Sequence, residues 1–390
     1  MREGVIALFE LRKFVAPEFI FGVGARHRVG FYARNLNAKR VMVVSDQGVA
    51  DAGWLAEALE NLAREGIHTT VFSGLTSNPK DHEVMAGAEA YRQAACDVIV
   101  AVGGGSVIDC AKGIGIIAAN GGSILNFEGV DQIPAPGPPL ICIPTTAGTS
   151  ADISQFAIII NTAERSKMAI ISKTVVPDVA LVDPETTLTM DPYLTACTGI
   201  DALTHAIEAY VSTASSPVVD VHALAAIGGV RTHLLDAITD PTDLRAREQM
   251  MLASLQAGLA FSNASLGAVH AMAHSVGGYL DLPHGESNAL LLEFVIDFNF
   301  PTTVERYQSI GAALGLDLRG RNQAETKRLI MEDIRSLRLA AGIRDGLGTR
   351  GNITGSLKEL AKHAIHDACI YTNPRRATVA DVEAIYSEAL

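Results

Sequence analysis

Aromatic side chains are scarce: one tryptophan, eight tyrosines and twelve phenylalanines make up 5% of 390 residues. The core therefore has to be assembled from Ala, Val, Ile and Leu, which suits α/β layers and packed helices. Basic residues are outnumbered, 31 Lys and Arg against 43 Asp and Glu, giving a net charge of −12. That balance excludes a general nucleic-acid-binding surface, which has to neutralise phosphates. No uninterrupted apolar run reaches the about 18–20 residues of a membrane span. The apolar core of MREGVIALFELRKF is stopped by Glu10 and is too short for a secretory h-region. Cysteines are few, odd in number and without a CxxC pair: Cys96, Cys110, Cys142, Cys197 and Cys369. They read as small buried residues of a cytoplasmic protein rather than as a disulfide framework. Hydrophobic residues, by contrast, reach 48%. The excess is expected to be covered in a homodimer or larger homo-oligomer.

The chain is too long for one ordinary domain, and its grammar changes part-way. Up to about residue 185, β-rich runs alternate with amphipathic stretches. The runs are RVMVVSD (40–46), HTTVFSG (68–74), DVIVAVGGG (97–105), PLICIPTT (139–146), ISQFAIIINTAE (153–164) and VALVDPE (179–185). Continuous apolar strands separated by helices predict a parallel sheet covered on both faces. One helix is expected through VADAGWLAEALENLAREG and another around HEVMAGAEAYRQAAC. From about Tyr193 the strand signal stops. TGIDALTHAIEAYVS and REQMMLASLQAGLAFSNAS carry helical periodicity, with turns at TDPTD and DLPHGES. The chain thus divides into an α/β domain (1–185) and an all-helical domain (186–390), with a binding cleft expected between them.

In AVGGGSVIDCAKGIGI (101–116), Gly103, Gly104, Gly105 and Ser106 stand between a strand and a helix. A closely approaching backbone and the free N–H groups of a helix start suit a phosphate. The run is not G-x-G-x-x-G, and a plain strand-to-helix turn also explains it. Asp46, at the end of the first clear strand, is placed to accept from ribose hydroxyls or to cap a helix. PTTAGTS (144–150) offers hydroxyls after another strand, for phosphate, for a nicotinamide amide or for capping.

Three histidines fall in AVHAMAHSVGGYLDLPHGESNA (268–289). His270 and His274, four apart, share one helix face with about 5–6 Å between Cβ atoms. His284, between Pro283 and Gly285, reads as a turn. In TGIDALTHAIEAY (198–210), Asp201 and His205 are also one helical turn apart. Each pair alone has a plainer reading, a capping aspartate or a core histidine with one hydrogen bond. Together they offer a carboxylate and several imidazoles, a set that suits Fe²⁺ or Zn²⁺ better than Mg²⁺ or Ca²⁺. Spacing leaves open whether His270, His274 or both reach the ion.

The set GGGSVIDCAK, PTTAGTS, GIDALTHAIEAY, HAMAHSVGGYLDLPHG and DACIYTNPR (367–375) closely resembles the iron-activated (group III) alcohol dehydrogenases, over nearly the whole chain. The resemblance implies a Rossmann-like dinucleotide-binding domain followed by a helical metal-binding domain, the dehydroquinate synthase-like fold. It implies metal ligands Asp201, His205, His270 and His284, and makes His274 the further active-site histidine, a candidate for moving a proton. NAD(H) contacts are implied at Asp46, Asn78, Gly103, Gly104, Gly105, Ser106, Asp109, Thr145, Thr146, Thr149, Lys167 and Leu188. The expected reaction is metal-dependent hydride transfer between a primary alcohol and NAD⁺, with Fe²⁺ or Zn²⁺ as Lewis acid. The same superfamily includes glycerol dehydrogenases, and a cofactor-binding regulatory protein is the alternative of a different class.

Three positions depart from the family pattern. Ser150-Ala151-Asp152 stands where the family usually has Gly-Ser-Glu, which is expected to add a side chain near the cofactor. Asp191 replaces a common proline, and Ser287 replaces an alanine or cysteine close to His284.

Overall fold

A computed structural model describes residues 10–390; the first nine residues of the N-terminal run discussed above lie outside the described residues. The α/β half contains, in chain order, β1 (Glu18–Phe21), α1 (Val29–Asn35), β2 (Arg40–Val44), α2 (Gln47–Asp51), α3 (Trp54–Arg64), β3 (His68–Phe72), α4 (Asp81–Gln93), β4 (Val98–Gly103), α5 (Gly105–Asn120), β5 (Gly129–Val130), β6 (Leu140–Pro144), β7 (Phe156–Asn161), β8 (Ser166–Ile171) and β9 (Val179–Val182). The helical half contains α6 (Pro192–Val211), α7 (Pro217–Thr239), α8 (Leu244–Ala264), α9 (Ala268–Leu280), α10 (His284–Asn299), α11 (Val304–Ala313), α12 (Gln323–Ala340), α13 (Leu357–His366) and α14 (Val379–Glu388).

Six strands form one parallel sheet in the order β1-β9-β6-β4-β2-β3. The apolar strand sequences follow from cover on both faces. Val41, Val43, Val98 and Val100 pack with α1 and α3, whereas Met42, Val44, Ile99 and Ala101 pack with α4 and α5. The strand order reverses between β2 and β4, the kind of point where open α/β sheets leave a crevice at their carboxyl ends. Gly103 of β4 pairs with Pro144 of β6, so the glycine turn and the threonine loop leave the sheet side by side.

Two expectations need correcting. The run 153–164 does not join the parallel sheet. β7 pairs antiparallel with β8 in a separate sheet of order β5-β8-β7. The tight turn between them, with Arg165 at φ 52, closes a hairpin, a connection that antiparallel strands alone accept. The single helix expected after Asp46 is broken at Gly53, whose φ of 89 separates α2 from α3.

α6 runs through the centre of the helical half, and Thr195 to Val211 are buried on every side. Asp191 explains its own departure from proline. Its Oδ1 accepts from the N–H groups of Tyr193 and Leu194, both at 2.9 Å, and so caps α6. α7 is, among the described residues, the one helix long and apolar enough to cross a membrane by length and composition; it packs against α6 and α8.

Two glycines bring other segments against the α6 backbone. A Cβ on Gly285 would lie 2.2 Å from the Cys197 carbonyl oxygen, and one on Gly148 would lie 2.5 Å from the Thr198 carbonyl oxygen. Gly285 thereby seats the start of α10 beside α6, and Gly148 seats the threonine loop there. Gly285→Ala is expected to cost about 1–3 kcal/mol by overpacking and to lower metal content along with the melting temperature. Full metal content in a cooperatively folded Gly285→Ala protein, by elemental analysis, would show that the contact does not set the site.

Candidate metal centre and active-site cleft

Helical spacing assembles the centre from three helices. Asp201 and His205 lie one turn apart on α6, His270 stands in the first turn of α9, and His284 is the first residue of α10 rather than part of a turn. Asp201 Oδ1 lies 3.6 Å from His270 Nε2, 3.8 Å from His284 Nε2 and 3.9 Å from His205 Nε2. One donor atom from each of the four residues falls within 4.8 Å of the others. The separations exceed hydrogen-bond lengths. They are close to the roughly 3.4 Å ligand-to-ligand edge of a tetrahedron with bonds of about 2.1 Å. Three imidazole nitrogens and one carboxylate oxygen fit Fe²⁺ or Zn²⁺.

Electrostatics leaves Asp201, His205 and His284 ready for a cation, whereas His270 has to release a proton to bind one. Burial alone would raise the Asp201 carboxyl, but His205, His284 and His270 hold it well below the usual carboxylate range. Burial lowers His205 to about 4 and pushes His284 well below the ordinary imidazole value, so both keep a free lone pair. His270 is also pulled down by burial, yet Glu208 and Asp201 outweigh that and raise it to about 9.

Glu208 is the residue the motifs did not single out. Its Oε2 accepts from His270 Nδ1 at 2.5 Å and its Oε1 accepts from the Val269 N–H at 2.7 Å. This fixes the tautomer that points Nε2 at the centre. A signal was available: Asp201, His205 and Glu208 fall at i, i+4 and i+7, one face of α6. Asn288, one turn after His284 on α10, donates from Nδ2 to Asp201 Oδ1 at 2.6 Å. Asp367 does for His274 what Glu208 does for His270, accepting from Nδ1 at 2.7 Å. The His274 ring stacks on His284 with centroids 5.3 Å apart and does not contribute to the four-residue cluster.

The centre opens into a cavity of about 100 Å³ between the two halves. The helical half lines it with His205, His270, His274 and His284, and the α/β half with Asn78, Gly105, Ser106, Asp109, Thr149 and Lys167. Phe156, Ile158, Ile160, Phe261 and Leu266 supply the apolar lining. Phe261 also stacks on His205, centroids 4.2 Å apart. Lys167 Nζ donates to Asn78 Oδ1 at 2.7 Å, and burial lowers its ammonium to about 8.

Other residues implied as cofactor contacts lie outside this lining. Asp46 caps α2, accepting from the Val49 N–H at 2.8 Å. Gly103 ends β4, and a Cβ on Gly104 would meet the Thr146 side chain at 3.1 Å. Thr145 is buried, its N–H donating to the Gly103 carbonyl, while Leu188 follows a short 3-10 turn in the segment joining the halves.

The Ser150 departure has a different consequence from the one expected. Ser150 sits at φ 49, a conformation that favours glycine, which accounts for the usual residue there. Its side chain turns away from the cavity, and Oγ donates to the Ser254 carbonyl on α8 at 2.6 Å. Ser287 is similarly inward, with Oγ donating to the Pro283 carbonyl at 3.3 Å.

Glu208→Gln is expected to weaken Fe²⁺ or Zn²⁺ binding by about 10–100-fold while leaving the fold intact. Competition with a chelator measures this, and an unchanged metal affinity would remove Glu208 from the centre.

Residues 16–184 match the family of iron-containing alcohol dehydrogenases, and residues 195–390 match the C-terminal part of the Fe-containing alcohol dehydrogenase family. The chain is 36% identical over 377 residues to an NAD-dependent methanol dehydrogenase of Bacillus methanolicus, covering 97% of this chain and 99% of that one. It is 38% identical over 371 residues to a 1,3-propanediol dehydrogenase of Citrobacter freundii, covering 95% and 96%. The crystal structure of a 1,3-propanediol oxidoreductase superposes with a TM-score of 0.94 at 36% identity, over 98% of this chain and 100% of that one. With its four donors gathered on three helices and both halves matched, the chain belongs to the iron-containing alcohol dehydrogenase family.

Proposed function

We propose that the protein interconverts short primary alcohols and aldehydes using NAD(H) and a divalent iron held by Asp201, His205, His270 and His284. The observation that carries this reading is the cavity itself. It is lined both by the four histidines and by Gly105, Ser106, Asp109 and Thr149, which supports a substrate oxygen and a cofactor sharing one space. NAD-dependence in the methanol dehydrogenase relative supports the cofactor.

The ion supplies Lewis acidity that lowers an alcohol's pKa and polarises a carbonyl, and the nicotinamide supplies the hydride carrier. The chain's own residues supply the rest. Gly105 begins α5, where free N–H groups suit a phosphate, and Lys167 and Asn78 offer polar contacts beside it. Phe156, Phe261 and Leu266 exclude water and leave room for a small apolar substituent on the reacting carbon. Asp367 accepts the Nδ1 proton of His274, so Nε2 is the nitrogen left to take the hydroxyl proton of the alcohol or return it. The regulatory alternative draws on the altered Ser150-Ala151-Asp152 loop, where Ser150 turns into α8 and Ala151 lines the cavity; aldehyde turnover by the purified protein decides between the two.

Two further readings accompany this one. Five buried free thiols support a reducing, cytoplasmic setting. The outer face of α7, with Val218 54% and Val221 68% exposed, supports a homo-oligomer that covers it. Val221→Asp is expected to shift the elution of the purified protein towards the monomer; an unchanged mass by light scattering would discard that face as the interface.

Anaerobic removal of metal should abolish NADH oxidation with short aldehydes, and restoring Fe²⁺ should recover it. His274→Ala should then lower kcat by about 10²–10⁴-fold with metal content retained. A metal-free protein that turns over as fast as the loaded one would overturn the reading.

A further inference from the structure

Lys112 is a buried cation with no part in the chemistry above. It lies on α5, one turn beyond Asp109, and is 3% exposed. Its Nζ donates to the backbone carbonyls of Ser154 at 2.8 Å and Phe156 at 2.6 Å. Neither carbonyl belongs to α5. Both lie where the chain enters β7, an edge strand of its sheet. Edge carbonyls need donors, and two on alternate residues point the same way. The intervening Gln155 is gripped from the opposite side, its N–H donating to Ser262 Oγ at 3.1 Å and its Nε2 to the Ser262 carbonyl at 2.6 Å on α8.

Both partners of this contact line the cavity. α5 contributes Gly105, Ser106 and Asp109, and the strand entry contributes Ser154 and Phe156. Lys112 itself is not part of the lining. We propose that Lys112 is a positioning residue, an ammonium staple that sets the spacing between the α5 wall and the Ser154–Phe156 wall and so shapes the cofactor end of the cleft. The inference rests on the NAD(H) reading given above.

Charge supports a geometric purpose. Burial draws the Lys112 ammonium down, while Asp109, Cys142 and Asp152 favour its charged form. A buried cation of this kind stabilises a fold poorly compared with an apolar side chain of the same volume. What it provides is two directed hydrogen bonds to fixed carbonyls.

The test compares Lys112→Met and Lys112→Gln with the parent in four measurements: metal content, melting temperature, NADH dissociation constant by fluorescence, and amide hydrogen exchange over Ser154–Ile160. The expected result for Lys112→Met is about a tenfold rise in the NADH dissociation constant, faster exchange in that segment, and full metal content. Lys112→Gln, which keeps one donor group, should fall between the two, and it stands in if the Met variant fails to fold. A lower melting temperature with unchanged NADH affinity and unchanged exchange would make Lys112 merely structural and overturn the proposal. If the parent binds no NADH, the cofactor reading fails by itself, and the exchange data then decide whether the staple exists.

Discussion

The contact between the Gly285 backbone and the Cys197 carbonyl is the constraint on which the rest depends. Four ligands from three helices converge only if α10 can begin against the backbone of α6. A side chain at residue 285 would occupy the space of a carbonyl oxygen 2.2 Å away. Gly148 repeats the device on the next residue of α6, at Thr198, and brings in the loop that carries Thr149. Metal wall and proposed cofactor wall are thus referenced to one helical turn, Cys197 to Asp201. These two backbone contacts set how closely the two sides of the cavity approach α6.

Around that frame, charge is arranged by pairing. Each of three buried carboxylates faces an imidazole: Asp201 meets three at the centre, Glu208 backs His270, and Asp367 backs His274. Isolated, any of these acids would be costly to bury; hydrogen-bonded to a ring N–H, Glu208 and Asp367 each fix which nitrogen is left free. The helical half therefore holds the rings of His270 and His274 in defined orientations before anything binds. Preorganisation of this kind reduces the rearrangement needed on binding.

The sequence made the main layers legible because burial on two faces writes itself as unbroken apolar runs, as in Val41–Val44 and Val98–Val102. Asp201, His205 and His270 stood at helical spacings while His284 read as a turn; spacing alone could not separate His270 from His274, and the family resemblance made that distinction. What stayed hidden had physical reasons. β8 begins Ser-Lys-Met, without the usual strand pattern, and is defined by its hairpin with β7. The role of Glu208 depends on a partner sixty-two residues away. The direction of the Ser150 side chain follows from a positive φ that no residue-type pattern encodes. Asp46 carried two readings, and its hydrogen bond to Val49 is the local one.

The joining segment from Asp183 to Asp191 lies between two separately encoded sets of chemistry. Asn78 through Lys167 lies wholly before it, and Asp201 through His284 wholly after it. A recombination event there would exchange the ion ligands and part of the apolar lining, while Phe156, Ile158 and Ile160 stayed with the first half. The main condition is that the incoming α6 still accept a bare glycine backbone opposite residue 198. Such a chain can diversify by inheritance of halves where the Gly148 approach and the Ser150–Ser254 and Gln155–Ser262 contacts are kept.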